Sequence, residues 1–308
     1  MTIAQMTYIL AVEQYKNFVI AAEKSFVTQP ALSMQIQKVE SELGIKIFDR
    51  SKNPVEATPI GKKIIEQAKI TMAEYRKIKG IIANERDEVS GELRLGIIPT
   101  LAPYLLPLFL KDFVNNYPQI HLTIRELTTD MIIKALREDD LDIGLMATPI
   151  HQDELKEKPV FYEELMLYVS PRNNVFSKTI AYTDDIDPEQ LWLLEEGHCL
   201  RSQIAKLCAL HKHTSLPNFK AGSLETLIRL VDRYDGMTVL PELAIRDFSA
   251  ERVANVRHFA SPSPVREISL VFHQNYPRKK IIEGLFETIL QSVKINNINA
   301  SNKWVLEI

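Results

Sequence analysis

The segment GHCLRSQIAKLC, Gly197 to Cys208, holds both cysteines of a 308-residue chain, nine positions apart. Two thiols set so close together point to thiol chemistry. Cys199 follows the strand-like run LWLLEEG and stands at the start of a helix. A helix N-terminus stabilises an anion, and His198 or Arg201 adds positive charge. These circumstances lower a thiol pKa from its usual value of about 8.5, so the pattern predicts a reactive thiolate at Cys199. Cys208 lies on the apolar side of the same helix, among Ile204, Leu207 and Ala209.

If residues 200–208 are helical, nine steps separate the two Cα atoms by about 13 Å. A disulfide needs them within about 7 Å. Either the two never pair, or pairing unwinds the helix and oxidation trades one local fold for another. Two further readings stay open. Free cysteine often serves as a small buried hydrophobe. Alternatively, Cys199, Cys208, His211 and His213 supply four soft metal ligands, with Cys208 and His211 on one helix face. Against a zinc site, such centres usually draw two ligands from a tight C-x₂₋₄-C turn.

The rest of the chain must position these thiols. Hydrophobic residues make up 45% and charged residues 25%, enough for a core that needs no disulfide. No basic segment followed by an apolar one opens the chain, so no export signal is visible. The apolar stretch Ile97 to Leu110 is cut by Pro99, Pro103 and Pro107 and is too short to span a bilayer. We therefore expect a cytoplasmic protein without a membrane partner, where a disulfide is transient or sensory. Residues 1–90 carry 13 Lys+Arg against 11 Asp+Glu, and the remainder 24 against 29. A weakly positive N-terminal part fits nucleic acid without demanding it.

Those ninety residues read as successive helices. Asn17 caps one, in which Ala21 and Ala22 form a small-residue face. Thr28 caps the next and Pro30 occupies its first turn. Leu32, Ile36, Val39 and Leu43 then share one face, and Gly44 ends the helix. Gln29, Ser33, Gln35 and Gln37 lie off that row, offering amides and small hydroxyls to base edges. An ordinary helical hairpin with a solvated face would read the same way. The segment KIFDRSKNPVEATPIG follows as a β-wing, with Arg50 and Lys52 near a turn at Asn53-Pro54. Its basic tip suits phosphate. Thr58-Pro59 opens a long helix with Ile60, Ile64, Ala68, Met72, Tyr75 and Ile82 on a stripe. About 29 residues give a rod of roughly 43 Å, which favours pairing with a second copy over packing on its own regulatory domain.

After Gly91 the pattern changes. Strand-like runs at 92–98, 121–126, 141–147 and 164–170 alternate with helical ones at 104–117 and 129–138. The alternation continues through a helix from about Leu200, the helix SLETLIRLVDRY and the strand EISLVFHQ, to a last helix near Pro277. This predicts an α/β architecture. The end, NNINASNKWVLEI, reads as a frayed tail.

FVTQPALSMQIQKVESELGIKIFDR resembles the DNA-binding module of the LysR-type transcriptional regulators. GIIPTLAPYLLP, EEGHCLRSQ, the second cysteine nine residues on and AGSLETL are similar to the hydrogen-peroxide-sensing OxyR group of that family. The resemblance covers residues 1 to about 295. It implies a winged helix-turn-helix (1–58), a dimerising linker helix (59–90) and a redox-sensing regulatory domain (91–308). That domain would be of the type II periplasmic-binding-protein kind, with α/β lobes at 91–163 plus 267–295 and at 164–266, and a tail at 296–308. It further implies that peroxide oxidises Cys199 to a sulfenic acid, which condenses with Cys208. Thr100, Thr129, His198 and Arg266 would line the peroxide pocket. Thr28, Gln29, Pro30, Ser33, Gln35, Arg50 and Lys52 would face double-stranded DNA at a two-fold symmetric operator. The implied partners are a homodimer or homotetramer and RNA polymerase, with no cofactor, no metal and no enzymatic activity. The chain departs from the family at Met34, at Ser202 and in CALHKHTSLP. A regulator of the same family answering to a small metabolite is the nearest alternative. A thiol peroxidase or reductase is disfavoured by the helix-turn-helix and by the lack of a C-x-x-C motif.

Overall fold

A computed structural model describes residues 1–85, 89–208, 221–293 and 303–307. The chain divides into two units, Met1–Arg86 and Asp87–Ile308.

In the first unit, α1 (Ile3–Tyr15), α2 (Phe18–Lys24) and α3 (Gln29–Leu43) pack around Ile9, Val12, Ala21, Leu32 and Ile36. The Asn17 side chain accepts hydrogen bonds from the Val19 and Ile20 amides at 2.8 and 3.2 Å, the N-cap its position predicts. Thr28 occupies the N-cap position of α3 without a side-chain cap bond. Gly44, at φ +69°, ends α3 in the left-handed conformation that glycine adopts without strain. The buried row on α3 differs from expectation at its end: Leu43 is exposed and Glu40 is buried. Glu40 is held because its Oε1 accepts from the Ile47 and Phe48 amides at 2.8 and 3.3 Å. The wing is a minimal antiparallel pair, β1 (Phe48–Asp49) and β2 (Glu56–Ala57). Helix α4 (Pro59–Glu85) starts where Thr58 Oγ1 accepts from the Gly61 amide at 2.9 Å. Of the expected apolar row, Ile64, Ala68, Met72 and Tyr75 are buried or half-buried, joined by Ile65, whereas Ile60 is exposed. The side chain of Ile82 lies outside the described residues.

The second unit runs β3 (Gly91–Ile97), α5 (Ala102–Asn116), β4 (Ile120–Glu126), α6 (Thr129–Arg137), β5 (Ile143–Thr148) and β6 (Leu155–Val169). It continues with β7 (Ile180–Ala181), α7 (Cys199–Leu207), α8 (Leu224–Arg233), β8 (Met237–Pro241), α9 (Glu242–Ile245) and α10 (Ala250–Val253). It closes with β9 (Val256–Phe259), β10 (Ser263–His273), α11 (Lys279–Val293) and β11 (Lys303–Val305). The α/β alternation is as expected. The strands follow the order β4-β3-β5-β10-β6-β9-β7, with β8 also on β6 and β11 on β10. The parallel trio β3, β4 and β5 needs helical crossovers, which α5 and α6 supply.

Strand β6 is longer than the expected 164–170 and changes partners along its length. Residues 155–164 pair with β10, and 165–169 pair with β8. Two hydrophobic cores result, one around Leu95, Phe109, Phe161 and Leu285, the other around Leu167, Tyr168, Ile228 and Val239. Tyr104 packs against both.

The end of the chain is not frayed throughout. β11 runs parallel to β10, with Ser263 opposite Lys303, and Leu306 is buried in the second core. The Leu306 amide donates to Val265 O at 2.8 Å, and Gln203 Nε2 on α7 donates to Leu306 O at 2.8 Å. Backbone pairing with an open strand edge, which carries no sequence signature of its own, holds this segment. Residues 296–302 lie outside the described residues.

Candidate redox site and nucleic-acid interface

Cys199 is the first residue of α7, and Thr129 is the first residue of α6. Thr100 closes the turn between β3 and α5, and Arg266 sits within β10. All four are buried, as is His198 at the N-cap of α7. Strand β10 pairs with β6 so that Arg266 lies directly opposite Glu163. Both are fully buried, with Arg266 Nε donating to Glu163 Oε2 at 2.8 Å. The Arg266 Nη1 donates to Thr100 Oγ1 at 2.9 Å and Nη2 to Thr100 O at 3.2 Å. Glu163 uses its other oxygen to accept from the Leu243 amide at 2.9 Å. The guanidinium is thus fixed between two strands and the start of α5.

Burial pushes the Cys199 thiol above its ordinary value. Arg266 pulls against that rise, followed by a hydrogen bond from Thr129 and the amides of Leu200 and Cys199. The expected lowering of the Cys199 pKa is therefore corrected: in this closed reduced state desolvation wins. The source of positive charge is corrected too. Arg201 Nη1 is engaged with Leu194 O at 2.7 Å, and Arg266 supplies the charge at the thiol. The Thr129 hydroxyl lies against the thiol and has no nitrogen or oxygen partner among the described residues.

Cys208 stands at the far end of α7, as its C-cap, half-buried against the second core. Burial pushes its thiol up to about 12. Cys199 belongs to the first core. Both are free, at opposite ends of a nine-residue helix. Ser202 is exposed on α7. His211 and His213, candidates for a metal site, lie outside the described residues; among the described residues no cluster of three metal-ligating side chains occurs.

The candidate DNA face lies on α3. Thr28, Gln29 and Pro30 are exposed at its start. Ser33 Oγ accepts from Arg50 Nη1 at 2.8 Å, and Gln35 Oε1 accepts from Gln5 Nε2 at 3.0 Å. Arg50 also lies 3.5 Å from Glu40 Oε2, with its guanidinium 4.6 Å from the centre of the Phe18 ring. It therefore braces α3 against the wing. Lys52 pairs with Glu56 at 2.5 Å on the wing, a bond that raises its pKa.

Sequence reasoning missed Glu163 and Glu40. The first had a signal: two glutamates, Glu163 and Glu164, interrupt an apolar run. The second had none, because the hydrogen bonds that hold it come from the Ile47 and Phe48 backbone amides.

Two family models match the chain, the bacterial regulatory helix-turn-helix protein of the lysR family at residues 3–62 and the LysR substrate binding domain at residues 86–294. A hydrogen peroxide-inducible genes activator from Haemophilus influenzae is 31% identical, covering 96% of this chain and 98% of that protein. The DNA-binding transcriptional dual regulator OxyR of Escherichia coli is 30% identical over 94% of this chain and 95% of its own. The regulator EstR of Acinetobacter baylyi is also 30% identical, over 95% and 96%. The solved structure of a full-length OxyR variant from Pseudomonas aeruginosa superposes with a TM-score of 0.79 at 31% identity, covering 95% of this chain and 98% of that one. The chain accordingly belongs to the LysR-type family of DNA-binding transcriptional regulators, in its OxyR group.

Proposed function

We propose that this regulator senses hydrogen peroxide and switches peroxide-defence genes through a reversible Cys199–Cys208 disulfide. The observation that carries the reading is the seat of Cys199: a buried thiol in the field of Arg266 and against the Thr129 hydroxyl, which has no nitrogen or oxygen partner among the described residues. A buried hydroxyl with only a thiol beside it and no nitrogen or oxygen partner suits a small ligand that both donates and accepts hydrogen bonds, as peroxide does. Thr100, Thr129, His198 and Arg266 orient it. The Cys199 thiolate attacks one peroxide oxygen, the O–O bond breaks, and the departing hydroxide takes a proton to leave as water. The Cys208 thiolate then attacks the Cys199 sulfenic acid, forming the disulfide and releasing a second water. Two thiols lose two electrons to one peroxide. Because burial raises the thiol, attack draws on the stabilisation that Arg266, Thr129 and the α7 amides give the anion.

The bond requires α7 to unwind, since its ends stand about 13 Å apart. We assign the DNA contacts to Thr28, Gln29, Pro30, Ser33, Gln35, Arg50 and Lys52. Pairing of α4 with a second copy, supported by exposed Ile70 and Ile78, gives the two-fold symmetry an operator asks for. A homotetramer in the cytoplasm, acting with RNA polymerase, completes the reading.

One equivalent of peroxide added to reduced, metal-free protein should remove two free thiols and yield a 199–208 cross-linked peptide by mass spectrometry. Retention of both thiols would refute it. The second reading, a LysR regulator of a small metabolite with inert cysteines, is favoured by the upward shift of both thiols. It expects Cys199→Ser to leave signalling intact, whereas the peroxide reading expects that variant to be blind.

A further inference from the structure

We propose that Met34 is a specificity-determining residue of the DNA reader, making an apolar contact with the C5-methyl group of a thymine in the major groove. Of the polar residues on α3, Ser33 is occupied by Arg50 and Gln35 by Gln5. The buried row Leu32, Ile36, Val39 and Glu40 fixes which side of α3 faces the module. At about 100° per residue, Pro30, Met34, Gln37 and Ser41 run down the opposite side. All four are exposed, and Met34 is 62% exposed. The outermost face of the helix therefore carries an unbranched thioether at its centre.

A helix-turn-helix presents this face to base edges. In the major groove thymine alone offers a methyl group, and apolar side chains are its partners. Methionine has no hydrogen bond to give to guanine or adenine that would compete, and its flexible chain adapts to the methyl position. Gln37, one turn on, remains free in direction to pair with a neighbouring base. The inference rests on α3 lying in the groove, but not on the redox chemistry of Cys199.

The test begins with selection of binding sites from random-sequence duplex DNA by the full-length reduced protein. Each thymine of the selected half-site is then replaced by deoxyuridine, which removes only the methyl group, and affinities are measured for the wild type, Met34→Ala and Met34→Gln. One thymine per half-site should show about a fourfold loss with the wild type, the worth of one buried methyl. The same replacement should have no effect on Met34→Ala. Selection with Met34→Gln should move the preference at that position toward adenine, which glutamine reads through N6 and N7. If every deoxyuridine effect is the same for wild type and Met34→Ala, the Met34 assignment is overturned while the reader stands. If selection returns no sequence preference at all, α3 is not the reader and both fall.

Discussion

Arg266 and Glu163 form a buried pair whose members cannot be removed singly without leaving a charge in the core. Truncating one partner of such a pair typically costs about 3–5 kcal/mol. Arg266→Ala should therefore slow peroxide oxidation of Cys199 and also lower the urea midpoint of the regulatory domain. Glu163→Gln should lower that midpoint, yet leave Arg266 able to act on the thiol. Stopped-flow oxidation rates separate the two roles: equal slowing in both variants would make Arg266 a scaffold only. The thiols make a second residue-scale expectation. Both are held above the ordinary thiol value, Cys208 at about 12. Well below the ordinary thiol value both states keep the protons and the thiols contribute nothing to pH dependence. Above it the unfolded chain releases its protons first, so folding stability falls as pH rises toward 12. The Cys199→Ser, Cys208→Ser double variant should show a shallower alkaline decline, the remainder belonging to buried tyrosines such as Tyr104 and Tyr168, which burial also holds high; urea titrations at pH 8 and pH 10.5 would show a decline unchanged if the thiols contribute nothing.

At the scale of elements, α7 is a short helix with its ends in different surroundings, Cys199 in one core and Cys208 against the other. Hydrogen exchange across residues 199–208 should accelerate or redistribute on oxidation, while α1 to α3 keep their protection. Identical exchange in reduced and oxidised protein, with the disulfide present, would mean that the helix does not unwind. Glu40 plays the corresponding part in the DNA module, tying α3 to Ile47 and Phe48. Glu40→Ala leaves two buried amides unpaired and should cost about 1–3 kcal/mol per orphaned group. Operator affinity should weaken for every sequence alike; a change confined to one base position would contradict a positioning role. Helices α2 and α3 were legible in the sequence because their signals are local: Asn17, Thr28-Gln29-Pro30 and Gly44; α7 starts at Cys199 as expected, but the strand expected at LWLLEEG reduces to isolated bridges at Leu191 and Leu194. The first half of β6 was not legible, since LKEKP is charged and holds Pro159, which cannot donate to a ladder. β10 accommodates it with a register shift between Ile268 and Ser269, opposite Phe161 and Pro159. Partners fixed by register, such as Glu163 for Arg266, are invisible before the strands are aligned.

At the scale of the whole molecule, residues more than a hundred positions apart complete one another's surroundings. Thr100 meets Arg266, and Gln203 meets Leu306. Deleting residues 303–308 should expose the seat of Leu306 and leave the buried Gln203 amide without its carbonyl. The melting temperature of the regulatory domain should fall and α7 should exchange faster; unchanged exchange in α7 would mean that β11 is ornamental. The same contact has a meaning in time. A ribosome delivers Gln203 about a hundred residues before Leu306. Domains fold as they emerge, N-terminal parts first. The helix-turn-helix unit is complete while the second unit is still being made, whereas Gln203 on α7 gains its Leu306 carbonyl only once that residue has left the exit tunnel. During that interval a nascent chain holds a folded helix-turn-helix unit while the Gln203 side chain of α7 still lacks its Leu306 carbonyl.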